Sequence, residues 1–317
     1  MERTGADTGQ SVEGLIEDQL KGWDLAAGNY SDLEKVRLRK LLMPGGCNII
    51  VQFNPARMRS SAARVDRESL KERPCFLCRS NLPPQQKWVE FAGKYLILLN
   101  PYPIFQRHLT ISLCEHNDQL IKGRFADMLR LAEALDKFTI FYNGPRCGAS
   151  APDHFHFQAG NKGFMPVEDE YFNFPRKLLA EKGNCRIESM DGYERYAIVL
   201  SGNDSTLICR SFEAVYGILH SMQKEMEEPM MNILAGFDNG NWRVFIFPRR
   251  AHRPAEFFEE GERQILISPA SVDFGGVWIT PRPADFEKLD PGAVAGIFEQ
   301  VSLGKEQWEE LIEKLIY

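Results

Sequence analysis

Asp153-His154-Phe155-His156-Phe157-Gln158 is the stretch on which the reading of this chain turns. In a β-strand successive side chains point to opposite faces. The pattern therefore predicts His154, His156 and Gln158 on one face, with Phe155 and Phe157 behind them in a core. Only six histidines occur in 317 residues, so such a pair is uncommon. A solvated strand can carry the same spacing by chance, and its surroundings must decide.

The segments before it predict a sheet. Tyr95 to Leu99 and His108 to Leu113 read as strands about a turn through Asn100-Pro101-Tyr102-Pro103. From Arg124 to Asp136, Phe125, Met128, Leu129, Leu131, Ala132 and Leu135 recur at helical spacing. Phe138 to Tyr142 is a further strand, and a loop through Gly144, Pro145 and Gly148 leads to the histidine strand. Further upstream, Asn48 to Phe53 reads as a strand followed by a basic loop with Arg57, Arg59 and Arg64. Two helices are expected before it. One carries Leu15, Ile16, Leu20, Trp23 and Leu25; the other carries Leu33, Val36, Leu38, Leu41 and Leu42. Gly28-Asn29-Tyr30-Ser31-Asp32 separates them, with Ser31 or Asp32 as N-cap. This order predicts an α+β fold, an antiparallel sheet with helices on one face.

The order recurs downstream. Arg195 to Leu200 reads as a strand and Phe212 to Met226 as a helix. Met231 to Leu234 and Trp242 to Phe247 form a hairpin about Asp238-Asn239-Gly240-Asn241. The last of these strands takes the place of the histidine strand but carries Val244, Phe245, Ile246 and Phe247. The chain thus reads as two similar halves, residues 1–165 and 185–317, joined by a linker between Lys162 and Cys185, the second half without the chemistry. Val277 to Thr280 resembles an edge strand, and a final helix spans Lys305 to Ile316.

Composition narrows the class of function. The formal net charge is −6 and the isoelectric point is near 5.7, which argues against a nucleic-acid-binding role. No apolar run approaches the length of a membrane span, and the polar first residues do not resemble a signal peptide. Seven cysteines fit a reducing, cytoplasmic setting better than a disulfide framework.

Two constellations carry chemistry. Cys75-Phe76-Leu77-Cys78 places two thiols where one tetrahedral metal ion takes both, and with His116 and His154 it becomes a Cys2His2 zinc site of structural type. The competing reading is two unrelated buried cysteines. His156 is the candidate nucleophile, because a neutral imidazole attacks phosphorus well and also leaves well. Gln158, on the same face, can donate an amide N–H to a phosphoryl oxygen. Arg57, Arg59 and Arg64 offer guanidinium donors to phosphate. A second basic turn, Arg249-Arg250-Ala251-His252-Arg253, either closes over a ligand or is a solvated corner.

Together, Cys75-x-x-Cys78, His116 within Cys114-Glu115-His116-Asn117, and Asn143 followed by His154-x-His156-x-Gln158 resemble the histidine-triad-like superfamily. Gln158, where the triad proper has a third histidine, is similar to the transferase branch, which contains galactose-1-phosphate uridylyltransferase, diadenosine tetraphosphate phosphorylase and the GDP-hexose phosphorylases. Asn54-Pro55-Ala56-Arg57, and Asn100-Pro101-Tyr102-Pro103 followed by His108-Leu109, which resembles the family's substrate-binding strand pair, extend the resemblance, which covers residues 48 to 160. It implies Cys75, Cys78, His116 and His154 as zinc ligands, His156 as the nucleotidylated residue and Gln158 as a contact to the transferred phosphoryl group. Arg57, Asn100 and Asn143 are the implied substrate-binding residues. Phe155 and Phe157 depart from the His-Pro-His-Gly-Gln of the uridylyltransferases and lie closer to the phosphorylases.

The expected activity is a nucleotidyltransferase or phosphorylase acting on a nucleoside diphosphate-sugar or dinucleoside polyphosphate, with phosphate or a sugar phosphate as acceptor. A nucleotide hydrolase on the same scaffold and a zinc-stabilised nucleotide-binding protein without catalysis are the alternatives. Nucleic acid and membrane are not expected as partners, and the chain is read as a monomer or a homodimer.

Overall fold

The computed structural model describes residues 5–57, 73–190 and 192–316; Arg59 and Arg64 of the predicted basic loop lie outside them. Thirteen strands form two sheets among these residues. The large sheet is built from β3 (Trp88–Phe91), β4 (Tyr95–Leu99), β5 (His108–Leu113), β6 (Phe138–Asn143), β7 (His156–Asn161), β8 (Arg176–Lys182), β9 (Cys185–Met190), β10 (Ile198–Gly202), β11 (Met231–Asp238) and β12 (Asn241–Pro248). Its spatial order is β3-β4-β5-β7-β6-β11-β12-β10-β9-β8, and every neighbouring pair is antiparallel.

That order is the same read from either end. One half runs β3-β4-β5, a helix, then β6-β7; the other runs β8-β9-β10, a helix, then β11-β12. The two meet where β6 pairs with β11. The chain is therefore α+β with two halves of one plan, as the repeated pattern predicts. Asn239 and Gly240 make the β11–β12 turn, both at positive φ (+49° and +78°), the conformation that a two-residue type I′ hairpin requires.

Strand alternation sends side chains to two different cores. On one face Tyr142, Phe155, Phe157, Val244 and Ile246 pack with the helices α1 (Gly5–Gly22), α2 (Asp24–Leu33), α3 (Phe125–Ala134), α5 (Ser205–Met222) and α7 (Lys305–Ile316). On the other, Phe141, Val199, Leu234, Phe245 and Phe247 pack beneath a small sheet of β1 (Arg37–Leu42), β2 (Asn48–Phe53) and β13 (Val277–Thr280), together with α4 (Pro166–Asn173) and α6 (Pro291–Val301). The second face of the first half carries His108, Thr110, Ser112, His156 and Gln158, and there the cover opens into a cavity.

Several elements differ from expectation. The helix expected to run on from Leu33 is not there: α2 passes through Gly28–Asp32 and ends at Leu33, and Arg37–Leu42 is a strand paired with β2. The Met43–Cys47 turn closes this hairpin, Met43 N–H donating to Cys47 O at 2.8 Å, and Gly46 takes φ +90° there. Ser31 and Asp32 consequently sit at the end of a helix, not at its start. The histidine strand begins at His156 instead of Asp153, because Ala151–His154 forms a turn (His154 N–H to Ala151 O, 3.2 Å). The second-half helix starts at Ser205, where Asp204 caps two N–H groups, and its strand starts at Ile198. The expected linker contains α4 and β8. No helix among the described residues is long and apolar enough to cross a membrane.

Candidate active site

The geometry around His156 follows from a gap in the sheet. The β6–β7 ladder stops at Phe141↔Gln158, so the next residues of the two strands splay apart. Phe155 O faces β5, accepting Leu113 N–H at 3.0 Å, which turns the His156 N–H towards the missing partner. Gln119, fully buried, fills that place. Its Oε1 accepts His156 N–H at 2.8 Å, and its Nε2 donates to His156 O at 2.9 Å and Asn143 O at 3.0 Å. One amide thus stands in for the strand that departed and satisfies three buried backbone groups.

The His156 ring is held as firmly. Its Nδ1 lies 2.9 Å from His154 O. A carbonyl only accepts, so Nδ1 carries the proton and Nε2 keeps its lone pair. Burial pushes the imidazole pKa down to about 4, so the ring is neutral at physiological pH.

Gln158 is oriented by a histidine outside the motif. His108 Nδ1 accepts Ile104 N–H at 3.2 Å, which leaves the His108 proton on Nε2, 3.1 Å from Gln158 Oε1. The Gln158 carbonyl is thereby occupied, and its NH2 is the end offered to the cavity. Burial, and then the charge of Arg57, push the His108 pKa down to about 3, so this donor keeps one tautomer.

The cavity, about 500 Å³, is lined by His156, Gln158, Arg57, Asn100 and Asn143 among others. Arg57 Nη1 donates to Tyr102 O at 2.7 Å, which ties β2's end to the Asn100–Tyr102 turn. Asn100 is committed to that turn: its Oδ1 accepts Tyr102 N–H at 2.9 Å and its Nδ2 donates to Thr110 Oγ1 at 3.1 Å. Asn143 Oδ1 accepts from Asn232 Nδ2 (2.9 Å), Ser271 N (2.8 Å) and Ser271 Oγ (2.6 Å), so its N–H groups are what it can give a ligand.

His154 does not share the face of His156, contrary to the strand reading. From the preceding turn it joins Cys75, Cys78 and His116, whose ligand atoms all lie within 4.8 Å of one another. Cys75 Sγ and Cys78 Sγ are 3.2 and 3.5 Å from His154 Nδ1, and Cys78 Sγ is 3.2 Å from His116 Nδ1. Tetrahedral coordination at about 2.3 Å to sulfur and about 2.0 Å to nitrogen separates such ligands by roughly 3.5 Å, so the four residues fit a metal ion. His154 Nε2 donates to Leu113 O at 2.8 Å, the outer contact that fixes Nδ1 as the ligating atom.

Two family models match the chain: a domain of unknown function (DUF4922) over residues 15–161 and the GDPGP1-like C-terminal domain over residues 169–317. The structure is similar to yeast Ap4A phosphorylase Apa2, with a TM-score of 0.58 at 18% identity, covering 88% of this chain and 94% of that one. For Apa2 in complex with Ap4A the TM-score is 0.59 at the same identity, over 88% and 96%. For Apa2 with AMP it is 0.58, over 89% and 96%. None of the curated proteins matches the chain. The second half matches a GDPGP1-like C-terminal domain, and the fold of the whole chain is that of Ap4A phosphorylase.

The second half lacks the histidine pair on the matching strand, β12. Val244 and Ile246 of β12 lie in the helix-side core, as Phe157 of β7 and the preceding Phe155 do, so Phe245 and Phe247 point to the face that His156 and Gln158 occupy in the first half. Sequence reading missed Gln119 and His108 as site residues. Gln119 belongs to no motif and His108 entered only as the start of the resemblance's strand pair, and their roles depend on contacts 37 and 50 residues away. It also missed Tyr142 and Glu228 behind Gln119. The Tyr142 hydroxyl lies 2.9 Å from Gln119 O and 2.6 Å from Glu228 Oε1. Burial pushes Glu228 up to about 7, which lets a protonated carboxyl donate to Tyr142 while Tyr142 donates to Gln119.

Proposed function

We propose that the protein is a nucleotidyltransferase or phosphorylase working by two displacements at phosphorus. Nε2 of His156 attacks the α-phosphorus of a nucleoside diphosphate-sugar or dinucleoside polyphosphate. An N–P bond forms, the bond from phosphorus to the bridging oxygen breaks, and the sugar phosphate or nucleotide leaves. The proton stays on Nδ1, donated to the His154 carbonyl throughout, so the phosphoryl-imidazolium is stabilised and remains a good leaving group. The Gln158 NH2 and the Arg57 guanidinium donate to phosphoryl oxygens where negative charge gathers. Phosphate or a sugar phosphate then attacks the same phosphorus and regenerates neutral His156.

The single observation that carries this reading is the neutral, Nδ1-protonated His156 on a cavity wall beside a Gln158 whose oxygen is already occupied. That Apa2 has been crystallised with AMP and with Ap4A supports a nucleotide as the ligand, and Asn100 and Asn143 are placed to line it. We assign zinc to Cys75, Cys78, His116 and His154, where it supplies structural cross-linking of the loop to the histidine strand. The two halves are best divided between Asn161 and Pro166, since β8 pairs with β9 and completes the second half. Seven free cysteines support a reducing, cytoplasmic setting.

The test is direct. Full-length protein is incubated with UDP-glucose, GDP-glucose, ADP-glucose and Ap4A, then examined by intact mass. One of these donors should add a nucleoside monophosphate, and His156→Ala should abolish the adduct. Absence of an adduct with every donor refutes covalent catalysis. Products formed with and without phosphate separate a phosphorylase from a hydrolase.

A further inference from the structure

The turn after β12 belongs to the half that lacks the histidines, yet two of its side chains, His252 and Arg253, line the same cavity as His156 and Gln158. The turn is built around Arg249, which is fully buried. Its guanidinium donates to Ala251 O (3.0 Å), His252 O (3.2 Å), Pro269 O (2.9 Å), Val301 O (3.2 Å) and Asn232 Oδ1. Burying a guanidinium is tolerated only when its donors are satisfied, and two of these acceptors, Ala251 O and His252 O, are carbonyls of the turn itself. A loop that would ordinarily be mobile is thus pinned in one conformation. Asn232 in turn donates to Asn143 Oδ1 at 2.9 Å, and Gln119 links Asn143 to His156. An unbroken hydrogen-bonded path therefore runs from this turn to the candidate nucleophile.

What the turn presents is cationic and aimed. Arg253 Nε donates to Ser268 Oγ at 3.3 Å, and its guanidinium carbon lies 4.0 Å from the Phe257 ring centroid. Both contacts fix its direction, and neither neutralises its charge. No carboxylate among the described residues forms an ion pair with it. Among the described residues three arginines, Arg57, Arg73 and Arg253, line the cavity against one carboxylate, Asp273. Arg73 lies 3.6 Å from Asp153. Asp273 accepts Ala270 N–H at 2.8 Å, and burial pushes it up to about 7, so it opposes the positive charge weakly. His252 faces Arg253, Arg249 and Arg146, and burial followed by those charges holds it neutral, leaving an imidazole N–H as a further donor.

We propose that His252 and Arg253 form an oxyanion subsite, supplied by the second half, for the phosphate group on the far side of the transferred phosphorus. The proposal rests on the nucleotidyl-His156 reading. In two successive in-line displacements the leaving group departs opposite Nε2, and the acceptor must return along the same line. One subsite therefore serves both the departing phosphate and the accepting one. Its ligand is a tetrahedral oxyanion, either inorganic phosphate or the phosphate of a sugar phosphate.

The experiment has two parts. Binding of inorganic phosphate and, separately, of glucose 1-phosphate to the full chain is measured calorimetrically, which needs no adduct. Then the nucleotidyl-enzyme is isolated and its discharge is followed against each oxyanion and against water. Arg253→Met should raise the dissociation constant and the half-saturating concentration of the preferred oxyanion at least tenfold, with discharge by water changed less than twofold. Arg253→Lys should recover part of the loss, and His252→Gln should give a smaller loss of the same kind. Unchanged oxyanion affinity in Arg253→Met with native stability overturns the proposal, as does wild-type protein that binds neither oxyanion. Failure of the covalent reading shows separately, as wild-type protein that binds an oxyanion but forms no adduct.

Discussion

Replacing Gln119 by Met keeps the length of the side chain and removes its amide. The His156 N–H, the His156 O and the Asn143 O then lose their partner together. They sit in the gap where β6 and β7 have parted, with Gln119 itself fully buried. An unsatisfied buried polar group costs about 1–3 kcal/mol, so three cost roughly 3–6 kcal/mol after partial relaxation. That is a large share of the ~5–15 kcal/mol that stabilises a typical domain. The effect on chemistry is separate. If the strands close by about 1 Å to recover their own hydrogen bonds, His156 moves with them, and misplacement on that scale costs about 10²-fold in rate. The measurements are urea unfolding midpoints and single-turnover formation of the nucleotidyl adduct. Gln119→Glu supplies the control for a variant that barely folds. Its ionised carboxylate faces two carbonyls, whereas its protonated form returns one of the two lost donors, so its stability deficit should shrink as pH falls. If Gln119→Met unfolds within about 0.5 kcal/mol of wild type, an ordinary surface effect, and labels at the wild-type rate, the strand-surrogate account is wrong.

Adduct formation should be independent of pH above about 5 as far as His156 is concerned and fall below pH 4, because protonation takes the Nε2 lone pair only there; a bend near 6.5 would show an unperturbed imidazole. His108, whose folded pKa lies near 3, binds fewer protons folded than unfolded between pH 3 and the ordinary histidine value. Stability should therefore fall as pH drops through that window, by roughly 1.4 kcal/mol per unit at most, and a flat unfolding midpoint from pH 6.5 to 4 would contradict the burial of this ring. Purified protein should contain one zinc per chain, and a strong chelator should lower the unfolding midpoint and slow labelling, since the carbonyl holding His156 Nδ1 belongs to the ligand His154; a metal content well under one with no loss of stability on chelation would reject the site. A Cβ at Gly160 would stand 2.6 Å from the Phe105 ring, which itself packs edge-on against His108 at 5.3 Å. Gly160→Ala should accordingly cost about 1–3 kcal/mol and slow labelling through His108 and Gln158, whereas a neutral effect on both would show that the ring moves freely.

How much of this was legible in the chain depended on whether a residue's partner was local. The alternation of Phe155, His156, Phe157 and Gln158 identified both the strand and the face that lines the cavity, because two-residue periodicity is a property of the backbone. The Cys75-x-x-Cys78 spacing likewise marked a shared ligand set. Arg37–Leu42 went astray because its apolar residues fit a helical spacing as well as a strand. The deciding signal was the Pro44-Gly45-Gly46 turn behind it, where a Cβ on Gly45 would stand 2.6 Å from Gly192 O. His154 was assigned to the wrong side for a related reason: the turn through Ala151-Pro152-Asp153 rotates it out of register and towards the cysteines. Gln119 carried no periodic or motif signal, and the signals at His108 (a strand start) and Arg249 (a basic turn) did not disclose their roles. Each acts through backbone atoms or side chains brought near by the sheet order, which a single sequence does not display.

The two halves also differ in what covers their shared sheet face. Both present the same sheet face, but over the second half that face is covered by β1, β2, β13 and α6, with Phe245, Phe247, Trp278 and Phe298 packed between. Restoring a histidine at Phe245 would place an imidazole in that apolar layer without a cavity beside it. Over the first half the cover opens, and its edge includes Arg57 from the end of β2, Asp273, and the turn that Arg249 braces. The first half contributes the imidazole and its oriented amide. The second half contributes the wall opposite, and the Asn143–Asn232 contact across the β6–β11 seam keeps the two in register. β12 therefore has a structural part to play without histidines, because its phenylalanines anchor the layer from which the far side of the cavity is built.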